Sequence, residues 1–330
     1  MRCGVLGAGS WGTALAVQLA RQGHETLIWD RNPDRCAHIN RHHTNPRYLK
    51  GEALPPTLRA ESNLHEVVHR SELVVPVIPS HALRQVAEAA TDAMGPDSHI
   101  CCATKGFDDQ TLDTMHDLLA KTFGAGDRTS VIYGPSFALE VARDLPTAVV
   151  VAGPDATAHV AAEAFHGGNF RCYTTEDVVG VCVGGSLKNV MAIACGVSDG
   201  VGLGNNARAG IITRGLAEIT RLAVAMGANP LTMMGLAGMG DLVLTCTGGL
   251  SRNRRVGLAL GEGRTLTEIL DELGEVAEGV ITARAAWRLS QELGVDMPIT
   301  REIYEVLYED KPVEQALSAL MGRDRRAERD

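Results

Sequence analysis

Three glycines near the start of the chain restrict its fold more than any other feature, because they stand between an apolar strand and a helix. The segment GAGSWG places Gly7, Gly9 and Gly12 in a Gly-x-Gly-x-x-Gly pattern, after RCGVL and before TALAVQLAR. In this pattern the first glycine permits a tight turn, the second lets the backbone approach a pyrophosphate, and the third lets helix and strand pack closely. The helix N-terminus adds free amides and the positive end of its dipole. The pattern predicts a Rossmann-type unit that binds a dinucleotide.

An acidic residue closes the next predicted strand, where such a unit binds the adenosine ribose. Asp30 ends ETLIWD, 18 residues beyond Gly12, and Arg31 follows it directly. An acid at this position favours the ribose hydroxyls of NAD, whereas a neighbouring arginine accommodates the phosphate of NADP. We therefore expect Asp30 in the cofactor site, with NAD or NADP as the cofactor and the preference between them left open.

Strand-like and helical segments alternate over the first half of the chain, which indicates βαβ units and a parallel sheet covered on both faces. After about Tyr173 the pattern changes, and helices are predicted at 177–196, 207–227, 251–261, 279–293 and 300–308. We expect a doubly wound α/β dinucleotide-binding domain over 1–174 and an all-α substrate domain over 175–330. The predicted strands are RCGVL, ETLIWD, ELVVPVIPS, SHICCATKG, TSVIYGPS, TAVVVAG and FRCYTT.

Charge and cysteine usage exclude several classes of protein. The net charge is −9, so there is no overall basic field to hold nucleic acid or anionic lipid. None of the eight cysteines forms a Cys-x-x-Cys pair, which favours a reduced cytoplasmic protein with no metal site. Glycines interrupt the apolar N-terminus, so we do not expect a signal peptide.

Two apolar segments each contain a single formal charge. Lys188 is alone in 178–198, and Asp241 is alone in 235–250, with Thr245 four residues further on. A lysine at the centre of a membrane span costs about 2.5–3.5 kcal/mol, so we expect 178–198 to be a helix of a soluble domain. A buried lysine and a buried aspartate are each unfavourable alone and tolerable together. The sequence allows two interpretations of such a pair: a structural ion pair or a catalytic one.

Further polar groups follow the predicted strands or open a helix. Lys105 lies in ATKG, at the carboxyl edge where open α/β sheets bind ligands, and GPS at 134–136 follows the next strand. SRNRR at 251–255 opens a helix, with Ser251 as its expected N-cap. Its free amides and the planar fork of Arg252 suit a phosphate, although a solvated basic face is the alternative interpretation.

In combination, these segments resemble the soluble NAD(P)-dependent glycerol-3-phosphate dehydrogenases of the bacterial type. The resemblance runs in order from residue 4 to about residue 280. Gly184 and Gly185 depart from it, since alanine is more usual there. The matching segments are GVLGAGSWGTALA, NPRYL, ATKG, YGPSFALEVA, SLKNVMAIACGVSDGVGLGNNARAGIITRGLAEI, GLAGMGDLVLTC, SRNRRVG and EVAEGV.

The resemblance implies reversible reduction of dihydroxyacetone phosphate to sn-glycerol 3-phosphate for phospholipid synthesis. It also implies a C-terminal domain like that of 6-phosphogluconate dehydrogenase, and a possible homodimer. Lys188 is then the general acid/base, with Asp241 and Thr245 beside it. The implied substrate contacts are Lys105, Gly134, Ser136, Lys188, Asp241, Ser251, Arg252 and Asn253. The implied cofactor contacts, beyond the glycines and Asp30, are Ser10, Trp11, Arg31, Tyr48, Lys105, Ala138, Arg252, Val276 and Glu278.

Two other functions remain open from the sequence. A dehydrogenase of the β-hydroxyacid type, acting on another small acidic substrate, would share the fold, but a carboxylate substrate would not need SRNRR. A dinucleotide-binding sensor without turnover would have no need of Lys188 or Asp241.

Overall fold

The computed structural model describes residues 1–274, 277–325, 327 and 328. The chain forms two compact units. The first comprises Met1–Gly185 and Gly227–Asp241, and the second Ser186–Met226 and Leu242–Asp330.

Eight strands of the described chain form one sheet in the order β3-β2-β1-β4-β5-β6-β7-β8. The seven predicted strands are all present. The additional strand, β3, has only three residues, two of them charged, so it carries no apolar alternation by which a sequence pattern identifies a strand. The strands are β1 (Arg2–Leu6), β2 (Glu25–Trp29), β3 (Arg59–Glu61), β4 (Leu73–Pro76), β5 (His99–Cys102), β6 (Thr129–Tyr133), β7 (Thr147–Ala152) and β8 (Phe170–Thr175).

A separate apolar core covers each face of this sheet. Helices α1, α2, α6 and α7 pack on one face, and α3, α4 and α5 on the other. Neighbouring residues of β1 point to opposite cores, Val5 to the first and Leu6 to the second, as strands buried on both faces require. These helices are α1 (Ser10–Arg21), α2 (Pro33–His42), α3 (Leu64–Arg70), α4 (Ser80–Ala90), α5 (Met115–Phe123), α6 (Ala138–Ala142) and α7 (Asp155–Phe165).

One strand pair departs from the predicted parallel sheet. β7 runs antiparallel to β6, whereas β7 and β8 are parallel. The only helix between β6 and β7 is α6, with five residues. A helix that short rises about 7.5 Å, too little to carry the chain back along the sheet, so β7 starts at the edge where β6 ends.

The remaining helices confirm the all-α character predicted after residue 175. Three of them, α10, α12 and α15, are absent from the predicted set, because each has fewer than ten residues and is too short to show a clear helical repeat of apolar residues. The helices are α8 (Val178–Val201), α9 (Gly204–Ala225), α10 (Asp241–Thr247), α11 (Arg252–Gly261), α12 (Leu266–Leu273), α13 (Glu278–Leu293), α14 (Pro298–Tyr308) and α15 (Val313–Met321).

Helix α8 contains the apolar segment that surrounds Lys188. In the described part of the chain it is the one helix that is long and apolar enough to cross a membrane, with a mean hydropathy of 1.7. However, 89% of that apolar window is buried inside the protein. Such burial is characteristic of a core helix in a folded domain.

Candidate active site

The glycine turn after β1 has the shape that a pyrophosphate requires. Gly7 has a φ of +118°, and a Cβ at Gly12 would lie 1.9 Å from the Gly7 carbonyl oxygen. Around a Cβ at Gly9, by contrast, no described atom lies within 4 Å. Helix α1 begins at Ser10 with no acidic residue in its first turn and no side-chain cap from the described residues. Its first amides therefore remain available to an anion.

Trp11, in the first turn of α1, carries an unpaired polar atom. Its indole Nε1 is buried and has no hydrogen-bond partner among the described residues. A buried donor without a partner costs about 1–3 kcal/mol, so such groups are normally satisfied. A ligand acceptor on the glycine turn would satisfy it. The open space at Gly9 and the donor on Trp11 both fit a dinucleotide cofactor.

The carboxylate of Asp30, which follows β2, is already engaged. Asp30 is only 4% exposed. Its Oδ1 accepts a hydrogen bond from the Asn32 amide at 2.9 Å, and its Oδ2 lies 2.5 Å from Nη1 of Arg35. Arg31 is exposed and makes no side-chain hydrogen bond within the described chain. The Arg35 guanidinium also lies 5.8 Å from the ring centre of Tyr48.

Lys105 and Asp241 form an ion pair in the first unit. The Lys105 Nζ lies 2.7 Å from Oδ2 of Asp241, which is 1% exposed. Asp241 is the first residue of α10 and follows a π-helical turn, Leu236–Gly240, a feature frequent at functional sites. Lys105 follows β5, so its ammonium lies at the predicted carboxyl edge of the sheet.

The aromatic ring of Tyr133 lies next to the ammonium of Lys105. The Lys105 Nζ lies 5.3 Å from the ring centre of Tyr133, the last residue of β6. The Tyr133 hydroxyl donates to the carbonyl of Thr104. Burial holds the pKa of Tyr133 well above its usual value, so the phenol stays neutral. It therefore contributes an aromatic face and a fixed hydrogen bond, but no charge.

The segment after β6 brings three further predicted residues beside this edge. Gly134 follows β6, and a Cβ there would lie 2.9 Å from the Cα of Val149. The Ser136 hydroxyl donates to the Gly134 carbonyl at 3.0 Å, which leaves its oxygen lone pairs as acceptors. Ala138 begins α6.

The unusual glycines before Lys188 have a packing role. A Cβ at Gly184 would lie 2.7 Å from the Ala237 carbonyl oxygen. One at Gly185 would lie 2.5 Å from the Tyr133 ring. Glycine therefore permits a close approach of α8 that alanine would block without a local shift.

Lys188 lies in the part of α8 that belongs to the second unit and is 7% exposed. Its ammonium donates a hydrogen bond of 2.9 Å to the hydroxyl of Thr245 on α10, which is also buried. Thr245 lies four residues after Asp241, on the same helix face. The pairing of Lys188 with Asp241 itself stays a prediction.

Helix α11 has the predicted N-terminal geometry. The Ser251 hydroxyl caps it by accepting from the Arg254 amide at 3.2 Å, and Arg252 is exposed at its first position. The Asn253 Oδ1 accepts from the Gly279 amide at 2.9 Å, which fixes the orientation of the Asn253 amide group. Its Nδ2 hydrogens make no bond to another described residue. These N–H groups can donate hydrogen bonds to the oxygens of a phosphate.

The sequence analysis missed Asp199, a residue of α8 whose carboxylate binds an arginine of the segment SRNRR. Its Oδ2 lies 2.6 Å from Nη2 of Arg254, and its Oδ1 lies 2.6 Å from Nη2 of Arg208 on α9. Arg254 is thus partly neutralised, so the three arginines of SRNRR are not equivalent. The signal that could have identified Asp199 is an acidic residue near the end of a long apolar helix.

Four glycines bring α8 and α11 into backbone contact within the second unit. A Cβ at Gly196 would lie 2.1 Å from the Arg254 carbonyl oxygen, and one at Gly257 would lie 2.0 Å from the Ile193 carbonyl oxygen. Gly200 and Gly261 repeat this approach one turn later. The crossing ties the helix of Lys188 to the helix of Arg252 and Asn253.

Two predicted cofactor contacts lie at or before the start of α13. Glu278 is its first residue, and Val276 lies outside the described residues.

Among the described residues, no group of three or more His, Cys, Asp or Glu side chains is arranged to hold a metal ion.

Comparisons with known proteins identify the family of this chain. Residues 2–159 match the family described as NAD-dependent glycerol-3-phosphate dehydrogenase N-terminus, and residues 177–318 match the corresponding C-terminus. A glycerol-3-phosphate dehydrogenase [NAD(P)+] of Anaeromyxobacter dehalogenans is 51% identical, over 99% of this chain and 100% of that protein. Its counterpart in Geobacter metallireducens is 49% identical, over 99% of each. The crystal structure of glycerol-3-phosphate dehydrogenase from Coxiella burnetii has a TM-score of 0.93 and 40% identity, covering 98% of this chain and 99% of that one. The chain therefore belongs to the NAD-dependent glycerol-3-phosphate dehydrogenase family.

Proposed function

We propose that the chain catalyses the NAD(P)-dependent, reversible reduction of dihydroxyacetone phosphate to sn-glycerol 3-phosphate, and so supplies phospholipid synthesis. The single observation that carries the chemistry is the buried ammonium of Lys188, oriented by the hydroxyl of Thr245. A lysine is rarely buried in so apolar a helix without a chemical role.

The two parts of the chain have different tasks in this proposal. Residues 1–174 bind the dinucleotide through the glycine turn, Ser10, Trp11 and the residues after β2, and residues 175–330 provide the substrate-binding helices. When bound, NAD(P)H supplies a hydride to the carbonyl carbon of the ketone. Lys105, Ala138, Arg252, Val276 and Glu278 are the further proposed cofactor contacts.

Lys188 acts as the general acid in reduction. In the proposed reduction, the Lys188 Nζ would donate a proton to the carbonyl oxygen of the substrate, where negative charge develops. One ammonium hydrogen bonds to the Thr245 hydroxyl, which orients the ammonium. In the reverse direction the neutral amine accepts the hydroxyl proton. Such a positioned acid contributes a factor of about 10²–10⁴ in rate.

The N-terminus of α11 binds the substrate phosphate. Arg252 offers a planar fork of donors, and Asn253 offers its Nδ2 hydrogens, since its oxygen is taken by Gly279. The dipole of α11 adds positive potential at the same end, where Ser251 caps the helix. These groups orient the substrate and take no part in proton transfer.

The paired charges of Lys105 and Asp241 complete the proposed substrate site, with Gly134 and Ser136. Asp241 is 1% exposed and forms an ion pair with Lys105, so the position of its carboxylate is fixed. The substrate is a small phosphorylated compound. We also propose a cytoplasmic location and a homodimer.

The test compares NADH and NADPH oxidation by the purified chain with dihydroxyacetone phosphate and with unphosphorylated dihydroxyacetone. We expect rapid oxidation with the phosphate ester and a large loss of kcat/KM without it. Equal rates with the two ketones would contradict the phosphate site. Oxidation with neither, but with a 2-keto acid, would indicate a dehydrogenase of the β-hydroxyacid type.

A further inference from the structure

We propose that Arg35 is a specificity-determining residue for the cofactor: Asp30 holds it in position, and with Arg31 it forms a site for the 2′-phosphate of NADP(H). The inference rests on the proposed function, because it concerns the cofactor of the same reaction. It assigns the acidic residue after β2 to a positioning role in place of a ribose contact.

Asp30 is poorly placed to bind ribose hydroxyls. A carboxylate that binds the ribose presents both oxygens to the 2′- and 3′-hydroxyls, and it must be accessible to them. In this chain Oδ1 accepts from the Asn32 amide and Oδ2 accepts from Arg35. With 4% of the residue exposed, Asp30 presents almost no surface for a further contact.

Arg35 has N–H groups that no described residue engages, and its contacts with Asp30 and Tyr48 fix the position of its guanidinium. Of its five N–H groups, the described residues engage only those on Nη1, through Asp30. The Tyr48 ring, 5.8 Å from the Arg35 guanidinium, adds a second point of attachment that uses no N–H group. A guanidinium held in this way loses little side-chain entropy when it binds a phosphate.

The surrounding charges favour a phosphate over a hydroxyl. Arg31 and Arg35 carry two positive charges against the one negative charge of Asp30, and Arg47 lies 5.3 Å from the same Tyr48 ring. A phosphate monoester carries about −1.5 to −2 charges at neutral pH. The hydroxyl of NAD gains no comparable attraction here, so we expect tighter binding of NADPH than of NADH.

The first experiment measures the Kd of NADPH and NADH by fluorescence titration of the full chain, without substrate. In Arg35→Gln we expect the Kd of NADPH to rise about 10- to 100-fold, as the loss of a hydrogen bond to a charged group implies, while the Kd of NADH changes less than about threefold. Arg41→Gln is the matched control, because Arg41 is an exposed arginine on the same helix, and neither Kd should change. Equal weakening of both cofactors by Arg35→Gln, or no change in either, would overturn the proposal.

Two further measurements separate a phosphate contact from a structural role. Adenosine 2′,5′-bisphosphate should lose affinity for Arg35→Gln, whereas adenosine 5′-monophosphate should not. Arg35→Lys, which keeps the charge but not the fork, should recover part of the NADPH affinity.

Asp30→Asn tests the positioning role directly. Its Kd for NADH should remain within about threefold of the wild type, since we expect no contact with the ribose hydroxyls. A tenfold loss of NADH affinity would show a ribose contact and overturn the inference. If the wild type reduces dihydroxyacetone phosphate but Arg35→Gln leaves cofactor choice unchanged, only this inference fails. If the wild type reduces it with neither cofactor, the proposed function fails.

Discussion

The ammonium of Lys188 and the hydroxyl of Thr245 are joined by a hydrogen bond of 2.9 Å between two buried side chains on α8 and α10. Thr245 accepts from the lysine, so it orients the ammonium without neutralising it. The two residues can be tested separately by mutation, because in the proposed mechanism Lys188 supplies the proton and Thr245 orients the ammonium.

Replacing Lys188 with Met removes the amine and keeps the length of the side chain. We expect kcat for reduction of dihydroxyacetone phosphate to fall about 10²- to 10⁴-fold, the usual contribution of a positioned acid. The Kd of NADPH, measured by fluorescence, should stay near the wild-type value. Lys50→Met, at an exposed lysine, is the control and should retain full turnover. Near-normal turnover in Lys188→Met would rule out the proton-transfer role.

Replacing Thr245 with Val removes the acceptor at nearly constant volume. Because a buried ammonium then lacks one partner, which costs about 1–3 kcal/mol, we expect kcat to fall about tenfold or more. Thr245→Ser retains the hydroxyl and should retain most of the activity. If Val and Ser behave alike, the hydrogen bond to Lys188 has no part in turnover.

Arg252→Ala should act on substrate binding. Loss of a hydrogen bond to a charged phosphate costs about 1.5–3 kcal/mol, so the KM for dihydroxyacetone phosphate should rise about 10- to 100-fold with a much smaller change in kcat. Arg255→Ala removes an exposed arginine of the same segment and should leave the KM nearly unchanged. Equal KM values in the two variants would place the phosphate elsewhere.

The crossing of α8 and α11 gives a prediction about stability. Gly257→Ala would put a methyl group 2.0 Å from the Ile193 carbonyl oxygen, a backbone atom, so the helices must move apart. We expect the free energy of unfolding in urea to fall by about 1–3 kcal/mol, as in overpacked cores. Gly210→Ala on α9 is the control, since no described atom lies within 4 Å of its Cβ position. The control should be neutral or stabilising by up to about 1 kcal/mol. Equal changes in the free energy of unfolding for Gly257→Ala and Gly210→Ala would contradict the role of the crossing.

Glu218 predicts a pH dependence of stability. It is 1% exposed on α9 and accepts hydrogen bonds from the Ile299 amide at 2.7 Å and from Thr300, at the start of α14. Burial raises the pKa of Glu218 from 4.5 to about 7. Between these values the folded state binds more protons than the unfolded state. The free energy of unfolding should therefore fall as the pH rises from about 4.5 to 7, by on the order of 3 kcal/mol for this group.

The measurement compares urea unfolding of the wild type and of Glu218→Gln at several pH values from 4.5 to 8. The variant has no titrating group there, so its stability should depend less on pH over this window. Parallel pH profiles for the two proteins would contradict the assignment.

Local patterns in the sequence determined the α/β sheet, the glycine turn and the helical second half. These features depend on neighbouring residues: apolar alternation, a helix start at Ser10, and glycines at fixed spacing in 7–12. The same local patterns also identified Lys188 and Asp241, because an isolated charge in an apolar segment stands out.

Tertiary packing decided which partner each charge has. Asp241 pairs with Lys105, 136 positions away, and Asp199 joins Arg208 to Arg254. The sequence around each of these acidic residues is compatible with several basic partners. The periodicity of apolar residues does not show which partner is chosen. Asp30 likewise has the sequence context of a ribose ligand, and its buried ion pair with Arg35 is the basis of the positioning role that we propose for it. The sequence by itself determines where charges interrupt apolar segments. Which charges meet depends on distances set by the packed fold, because electrostatic attraction and desolvation both change steeply with separation and burial.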